Sequence, residues 1–286
     1  MADIDNIAKV SVHGGHCGEF CCHARDSLDA IIQAYADCGF AWVGITEHMP
    51  PVDDRFVYPD EIAAGLDAAA MYKRFRCYID RCRQLQRSFA SKIRVFVAFE
   101  TETCSGSDDF IRKLIAEFQP DYVVGSAHHV DDIPIDSTAE QYRQAIDRFG
   151  GLEALYCRYF DQQLDMIEAL KPAVVGHFDL IRIFDSDYPR TMQQRAVQER
   201  IGRNLDRIGE LNLIMDFNLR ALAKGADEPY ISRPIMEQAI DRGIAVVPGD
   251  DSHGVENVGM NLETGIRILR EAGAATNWRT PAVNIQ

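Results

Sequence analysis

No run of eighteen apolar residues occurs in this sequence, which excludes a membrane-spanning helix of ordinary length. Positive charge is scarce: 30 Lys and Arg stand against 44 Asp and Glu, a formal net charge of −14. Such a field opposes nonspecific attraction to phosphate backbones, so nucleic acid is not an expected partner unless a local positive site overrides it. No GxGxxG or Walker-type glycine loop follows a strand-like segment, which counts against the nucleotide-cofactor sheets. The opening MADIDNIAKV lacks the features of an export signal. Eight cysteines in that context predict reduced thiols in a cytoplasmic protein rather than a disulfide framework. Neither a low-complexity tract nor a linker interrupts the chain. What is present is a globular composition, 47% hydrophobic and 26% charged, in 286 residues, expected to form one domain over 1–286 with a sizeable core.

Short β-rich segments alternate with helical ones. Strands are predicted at 9–13, 41–46, 93–100, 121–126, 173–177, 212–217 and 244–249. The first leads into DSLDAIIQAYADCGF, where Leu28, Ile31, Ile32 and Tyr35 recur at helical spacing, Asp26 or Ser27 can cap the start, and Gly39 can close the end. Further helices are predicted near 67–89, 108–117, 138–170, 191–209, 232–242 and 257–272. Apolar strands alternating with helices imply parallel pairing with both faces covered, hence a doubly wound sheet or a closed barrel. The connection at 49–92, with its Ala-rich GLDAAAMYKRFRCYIDRC, reads as a lid over a small-molecule site.

In a parallel α/β architecture all C-terminal strand ends meet on one face. His13 and His16 follow the first strand, His48 the second, His128 and His129 the fourth, and Asp251 and His253 the seventh; Glu100 ends the third and His177 the fifth. The remaining histidine, His23, lies in the loop before the first helix. One histidine alone is ordinarily a hydrogen-bonded loop or core residue, but seven of eight at strand ends is not chance scatter. Cys17, Cys21, Cys22 and His23 could form a small structural zinc site, yet the spacing lacks a second CxxC or HxxxH half, and packed thiols are the expected reading. Asp53 and Asp54 read as surface acids.

Taken in order, these segments resemble the PHP (polymerase and histidinol phosphatase) family, in its histidinol-phosphatase-like branch. The likeness spans almost the whole chain. It rests on the histidine pair after strand one, His23-Ala24, TEH resembling T-D-H, Glu100 and Glu102 resembling G-x-E-x-E, GSAHH resembling G-S-x-H, GHFDLIR resembling H-x-D-L-x-R, and GDDSH resembling S-D-A-H. The resemblance implies a distorted, TIM-like (β/α)7 barrel with a trinuclear metal centre at the strand ends, and phosphoester hydrolysis. Two departures stand out. The family's H-x-H is His13-Gly14-Gly15-His16 here, one residue longer, with His13 the favoured partner. The family's N-T-x-G-x-R-K is Asn218-Leu219-Arg220-Ala221-Leu222-Ala223-Lys224, so its basic residue is not matched one for one.

Nine candidate ligands, His13, His16, His23, His48, Glu100, His128, His177, Asp251 and His253, are too many for one ion and suit about three. Imidazoles with carboxylates favour Zn, Mn or Fe over Ca. The expected mechanism is in-line attack on phosphorus by a metal-bridging hydroxide, with Asp251 and His253 in the catalytic group. Arg182 is expected as a bidentate phosphate fork, its bland alternative being a surface ion pair with Asp185 or Asp187. Arg220 and Lys224 are further substrate contacts, and Glu47, Glu102, Asp179 and His129 are groups that orient ligand imidazoles or protonate the leaving alkoxide. The leading expectation is a metal-dependent phosphatase acting on a small phosphomonoester, L-histidinol phosphate being the substrate the resemblance suggests. The alternatives are a phosphodiesterase or nuclease on the same scaffold and a noncatalytic metal-binding module. Oligomeric state is left open.

Overall fold

The computed structural model describes residues 6–282; the first five residues of the opening segment read for export features, and the last four of the expected domain, lie outside it. Seven strands, β1 (Lys9–Ser11), β2 (Phe40–His48), β3 (Arg94–Glu100), β4 (Tyr122–Gly125), β5 (Val174–Val175), β6 (Ile214–Asn218) and β7 (Ala245–Gly249), pair in chain order. Every pairing is parallel. The ring is drawn together between its ends, where the Val12 amide donates to the Pro248 carbonyl at 2.9 Å and the Asp251 amide to the His13 carbonyl at 2.9 Å. Of the two architectures the sequence allowed, the barrel is the one adopted. Val10, Trp42, Phe96, Tyr122, Ile214 and Val247 belong to the cluster that fills its interior.

Outside the strands, amphipathic helices bury their apolar stripes, each fully covered Leu or Ile contributing about 1.5–3 kcal/mol. Helix α1 (Leu28–Asp37) buries the four residues whose spacing predicted it, Leu28, Ile31, Ile32 and Tyr35. Ser27 is its cap, accepting from the Ala30 amide, while Asp26 takes a left-handed φ of 65°. Asp250 fastens this helix to the barrel seam: one carboxylate accepts from Ser11 Oγ at 2.6 Å, Tyr35 Oη at 2.7 Å and the Gly259 amide at 2.8 Å.

Three predicted elements change on folding. The 49–92 connection holds a short 3-10 turn (Asp54–Phe56) and helix α2 (Pro59–Ala63), but its Ala-rich part is α3 (Ala68–Ser88), which buries Met71, Phe75, Tyr78 and Ile79 as a barrel helix rather than a lid. The single helix expected at 138–170 is two, α5 (Ala139–Phe149) and α6 (Leu152–Leu170), because Gly150 and Gly151 between them take φ of 78° and 138°. At 257–272 only α11 (Leu262–Glu271) is α-helical, since Gly259 and Asn261 adopt φ of 69° and 63° ahead of it. The remaining helices are α4 (Ser107–Phe118), α7 (Tyr188–Met192), α8 (Arg195–Glu210), α9 (Arg220–Ala223) and α10 (Arg233–Asp241). None of the described helices is long and apolar enough to cross a membrane.

Candidate metal centre

Beyond β1 the chain runs through His13-Gly14-Gly15-His16 pressed flat against its neighbours. A Cβ on Gly14 would lie 2.3 Å from the Gly44 carbonyl oxygen, and one on Gly15 would lie 2.5 Å from Ile31 Cγ2. The two glycines thus absorb the additional residue, and both flanking histidines are fully buried at the barrel mouth.

Glu100, the last residue of β3, is the centre of the arrangement. Its Oε1 lies 2.7 Å from His177 Nε2 and 3.1 Å from His128 Nε2; its Oε2 lies 3.2 Å from His48 Nδ1 and 3.4 Å from His13 Nε2. Asp251 Oδ1 is 3.2 Å from His16 Nε2, and His23 Nε2 is 3.2 Å from His48 Nε2. Among the described residues five donor groups converge within 4.8 Å: His13 with His16 and Glu100, Glu100 with His128 and His177, His16 with His48 and His253, His48 with Glu102 and His128, and Cys21 with His23 and His48. All nine residues singled out in the sequence are therefore brought to one place.

Several of the converging nitrogens lie near a carboxylate without a well-aligned hydrogen bond to it. His13 Nε2, both ring nitrogens of His16 and His48 Nδ1 are buried without a hydrogen bond of good geometry. An unsatisfied buried polar group costs about 1–3 kcal/mol, so several together at one focus call for a cation, and the donor set fits divalent ions with nitrogen and oxygen preference. Charge follows the same geometry. Burial opposes protonation of His16, but the carboxylates of Asp251 and Glu47 close to its ring outweigh it and raise its pKa to about 9. Glu100 shows the mirror effect: burial raises it, while His13 and His128 pull it well below the carboxylate range. His23, its side chain 41% exposed, is lowered to about 4 by desolvation among its neighbours and by His48.

Around this cluster stand acids that face the imidazole rings. His129 Nδ1 faces Glu102 at 3.3 Å, Tyr58 Oη donates to Glu102 at 3.2 Å, and Glu47 lies 3.7 Å from His16 Nδ1. Two acids escaped the sequence reading: Asp216 Oδ2, 2.8 Å from His13 Nδ1, and Asp136 Oδ2, 2.9 Å from His128 Nδ1. The signal for Asp216 was there, a carboxylate inside the apolar strand NLIMDF; Asp136, in a loop among other acids, carried none. Asp179 does not orient a histidine ring. It accepts from the Ser232 amide at 2.8 Å and lies 3.3 Å from Arg182 Nε.

The cluster opens into a cavity of about 540 Å³, bordered by Glu100, His128, His177, Asp251 and His253, by Tyr58 and Asp60 from the α2 segment, and by Arg220 and Lys224. Arg182 is not on that wall. Its guanidinium is stacked 4.7 Å from the rings of both Tyr188 and Tyr230, and its Nη2 donates to the carbonyls of Pro229 at 2.6 Å and Glu228 at 3.1 Å. Nor does it pair with Asp185, which accepts from Tyr156 and Thr191 instead. The planar fork expected at the phosphate is thus occupied by two rings and two carbonyls.

Known proteins bear on this geometry. The PHP domain family model matches residues 15–220. The Schizosaccharomyces pombe protein named "Probable histidinol-phosphatase" is 32% identical over 92% of this chain and 87% of its own length. The Saccharomyces cerevisiae histidinol-phosphatase is 26% identical over 87% of this chain and 84% of its own length. In fold, the chain is similar to a Listeria monocytogenes structure assigned as a histidinol phosphatase (TM-score 0.78, 24% identity, 90% of this chain, 99% of that one). It is also similar to the Lactococcus lactis histidinol phosphate phosphatase complexed with Zn, L-histidinol and phosphate (TM-score 0.71, 17% identity, 93% of this chain, 94% of that one). A family match across most of the barrel, with a relative above 30% identity along nearly the whole length, has one reading: the chain belongs to the PHP domain family.

Proposed function

We propose that the chain hydrolyses a small phosphomonoester, L-histidinol phosphate, with about three divalent Zn, Mn or Fe ions held by His13, His16, His23, His48, Glu100, His128, His177, Asp251 and His253. The observation that carries the reading is Glu100, one buried carboxylate among four imidazole nitrogens at the edge of a cavity that also holds two basic side chains. Bound ions supply an activated water and draw charge from the phosphoryl oxygens. The chain's own residues do the rest. Arg220 and Lys224 receive the phosphate dianion, while Asp251 and His253 border the position where it reacts. Asp216 and Asp136 hold the imidazoles of His13 and His128 in one tautomer and direction. Tyr58 and Asp60, from the α2 segment, narrow the access of water. Arg182 acts at one remove, keeping Tyr230 in the cavity wall. The names of the fungal relatives support the substrate, as does the complex of the Lactococcus lactis protein.

The test is turnover of L-histidinol phosphate and p-nitrophenyl phosphate against the p-nitrophenyl bis-ester, alongside elemental analysis. Monoester hydrolysis with close to three transition ions per chain is expected. Preference for the bis-ester would establish a phosphodiesterase, and bound ions without turnover a noncatalytic module. One ion or none would overturn the cluster.

A further inference from the structure

Three cysteines lie between β1 and α1, and the fold treats them differently. Cys17 is fully buried in the core that α1 covers. Cys22 is partly exposed and accepts from Arg74 Nη1 at 3.4 Å. Cys21 is only 3% exposed and forms no disulfide. Its Sγ converges with a ring nitrogen of His23 and one of His48, all three donor atoms lying within 4.8 Å of one another. The turn that brings it there is closed by the Cys21 amide, which donates to the Cys17 carbonyl at 2.9 Å. The nitrogen pair has the spacing of ligands that share an ion, with the sulfur in reach of both. Tetrahedral zinc, with Zn–N of about 2.0–2.1 Å and Zn–S of about 2.3 Å, places two nitrogens about 3.3 Å apart and a sulfur about 3.6 Å from each. The His23 and His48 Nε2 atoms are 3.2 Å apart.

We propose that Cys21 Sγ is a ligand of one metal position of the cluster, alongside His23 and His48. This rests on the metal centre proposed above and replaces the bystander reading for Cys21 alone. A thiolate in that set makes one position of the cluster softer than the others and favours Zn or Co there over Mn. It also lowers the positive charge at that position.

The experiment loads the full chain with Co(II) and follows thiolate-to-cobalt charge-transfer absorption. The band is expected in wild type, Cys17→Ser and Cys22→Ser, and is lost in Cys21→Ser and Cys21→Ala, from which a chelator removes one ion per chain at least about tenfold more readily. A second measurement does not depend on the variants folding: X-ray absorption of the zinc-loaded wild type should include a sulfur neighbour at about 2.3 Å. Stoichiometric ions with neither sulfur neighbour nor charge-transfer band would overturn the assignment and leave the metal centre standing. A band that survives in Cys21→Ser would overturn it too. A chain that binds no ion would overturn both readings.

Discussion

Asp251 and Arg220 border the same cavity but should fail in different ways when altered. Asp251→Asn keeps the shape and removes a negative donor beside His16. Metal occupancy and kcat should fall together, by about ten- to a hundredfold, measured by elemental analysis and steady-state kinetics. Arg220→Ala should leave occupancy intact and reduce kcat/KM for a monoester dianion by about 2–4 kcal/mol of phosphoryl stabilisation, with a smaller loss for diesters. Arg182→Ala belongs to a third class. It leaves Asp179, fully buried, without its cation, so the dominant effect should be on stability, about 3–5 kcal/mol in denaturant unfolding. Unchanged stability with reduced kcat/KM in Arg182→Ala would instead return that arginine to the phosphate.

Elements matter here through the paths of their ends. The segment joining β1 to α1 delivers His13 and His16 together only because Gly14 and Gly15 can lie against the Gly44 carbonyl and Ile31. Gly14→Ala cannot be absorbed by a flexible side chain, since its Cβ would meet strand backbone at 2.3 Å. It should destabilise the fold by about 1–3 kcal/mol and weaken metal binding as His13 shifts, readable by urea unfolding and chelator competition. Wild-type stability and affinity would show that β1 has room to move. Helix α1 was legible in full because its periodicity, cap and buried face are local properties. The break between α5 and α6 was harder to see, for apolar periodicity continues on both sides of a glycine pair and only the required φ values force the turn. The 49–92 connection was misjudged for a different reason: the apolar stripe of α3 found the outside of the barrel to cover.

For the whole molecule, the buried cluster couples stability to pH. His16 ordinarily titrates at 6.5 and in the metal-free fold at about 9, where burial is outweighed by Asp251 and Glu47. Its protonated form therefore stabilises the fold below pH 6.5, and that contribution is lost as pH rises through about 9. The carboxylates work in the opposite sense. Burial of Glu100 and Asp251 is overcome by the imidazoles, so their contribution is present above the ordinary values of 4.5 and 3.8 and disappears only as pH falls through the depressed ones. Metal ions need unprotonated imidazoles and so displace protons on binding. The Tm of chelated protein should fall between pH 6.5 and about 9, while the increment on adding zinc grows over the same window. Thermal scans with and without chelator at both ends measure this. An increment that shrinks with rising pH would mean that ions do not bind at these histidines.

The sequence by itself determined the strand alternation, the parallel pairing and the loading of strand ends with histidines. These follow from local periodicity and from a topology that carries every C-terminal strand end to one face, so residues from His13 to His253 could be assigned to a common site without knowing any distance. Tertiary structure alone decided which groups touch. Glu100 as the centre, Asp216 behind His13 and Cys21 beside His48 are contacts between stretches 27 to 203 positions apart, and nothing local records them. Arg182 is the plainest case. Its local sequence is the same whether the guanidinium reaches the cavity or lies between Tyr188 and Tyr230, and it is the packing of two rings and two carbonyls, brought from separate parts of the chain, that turns it away from the wall.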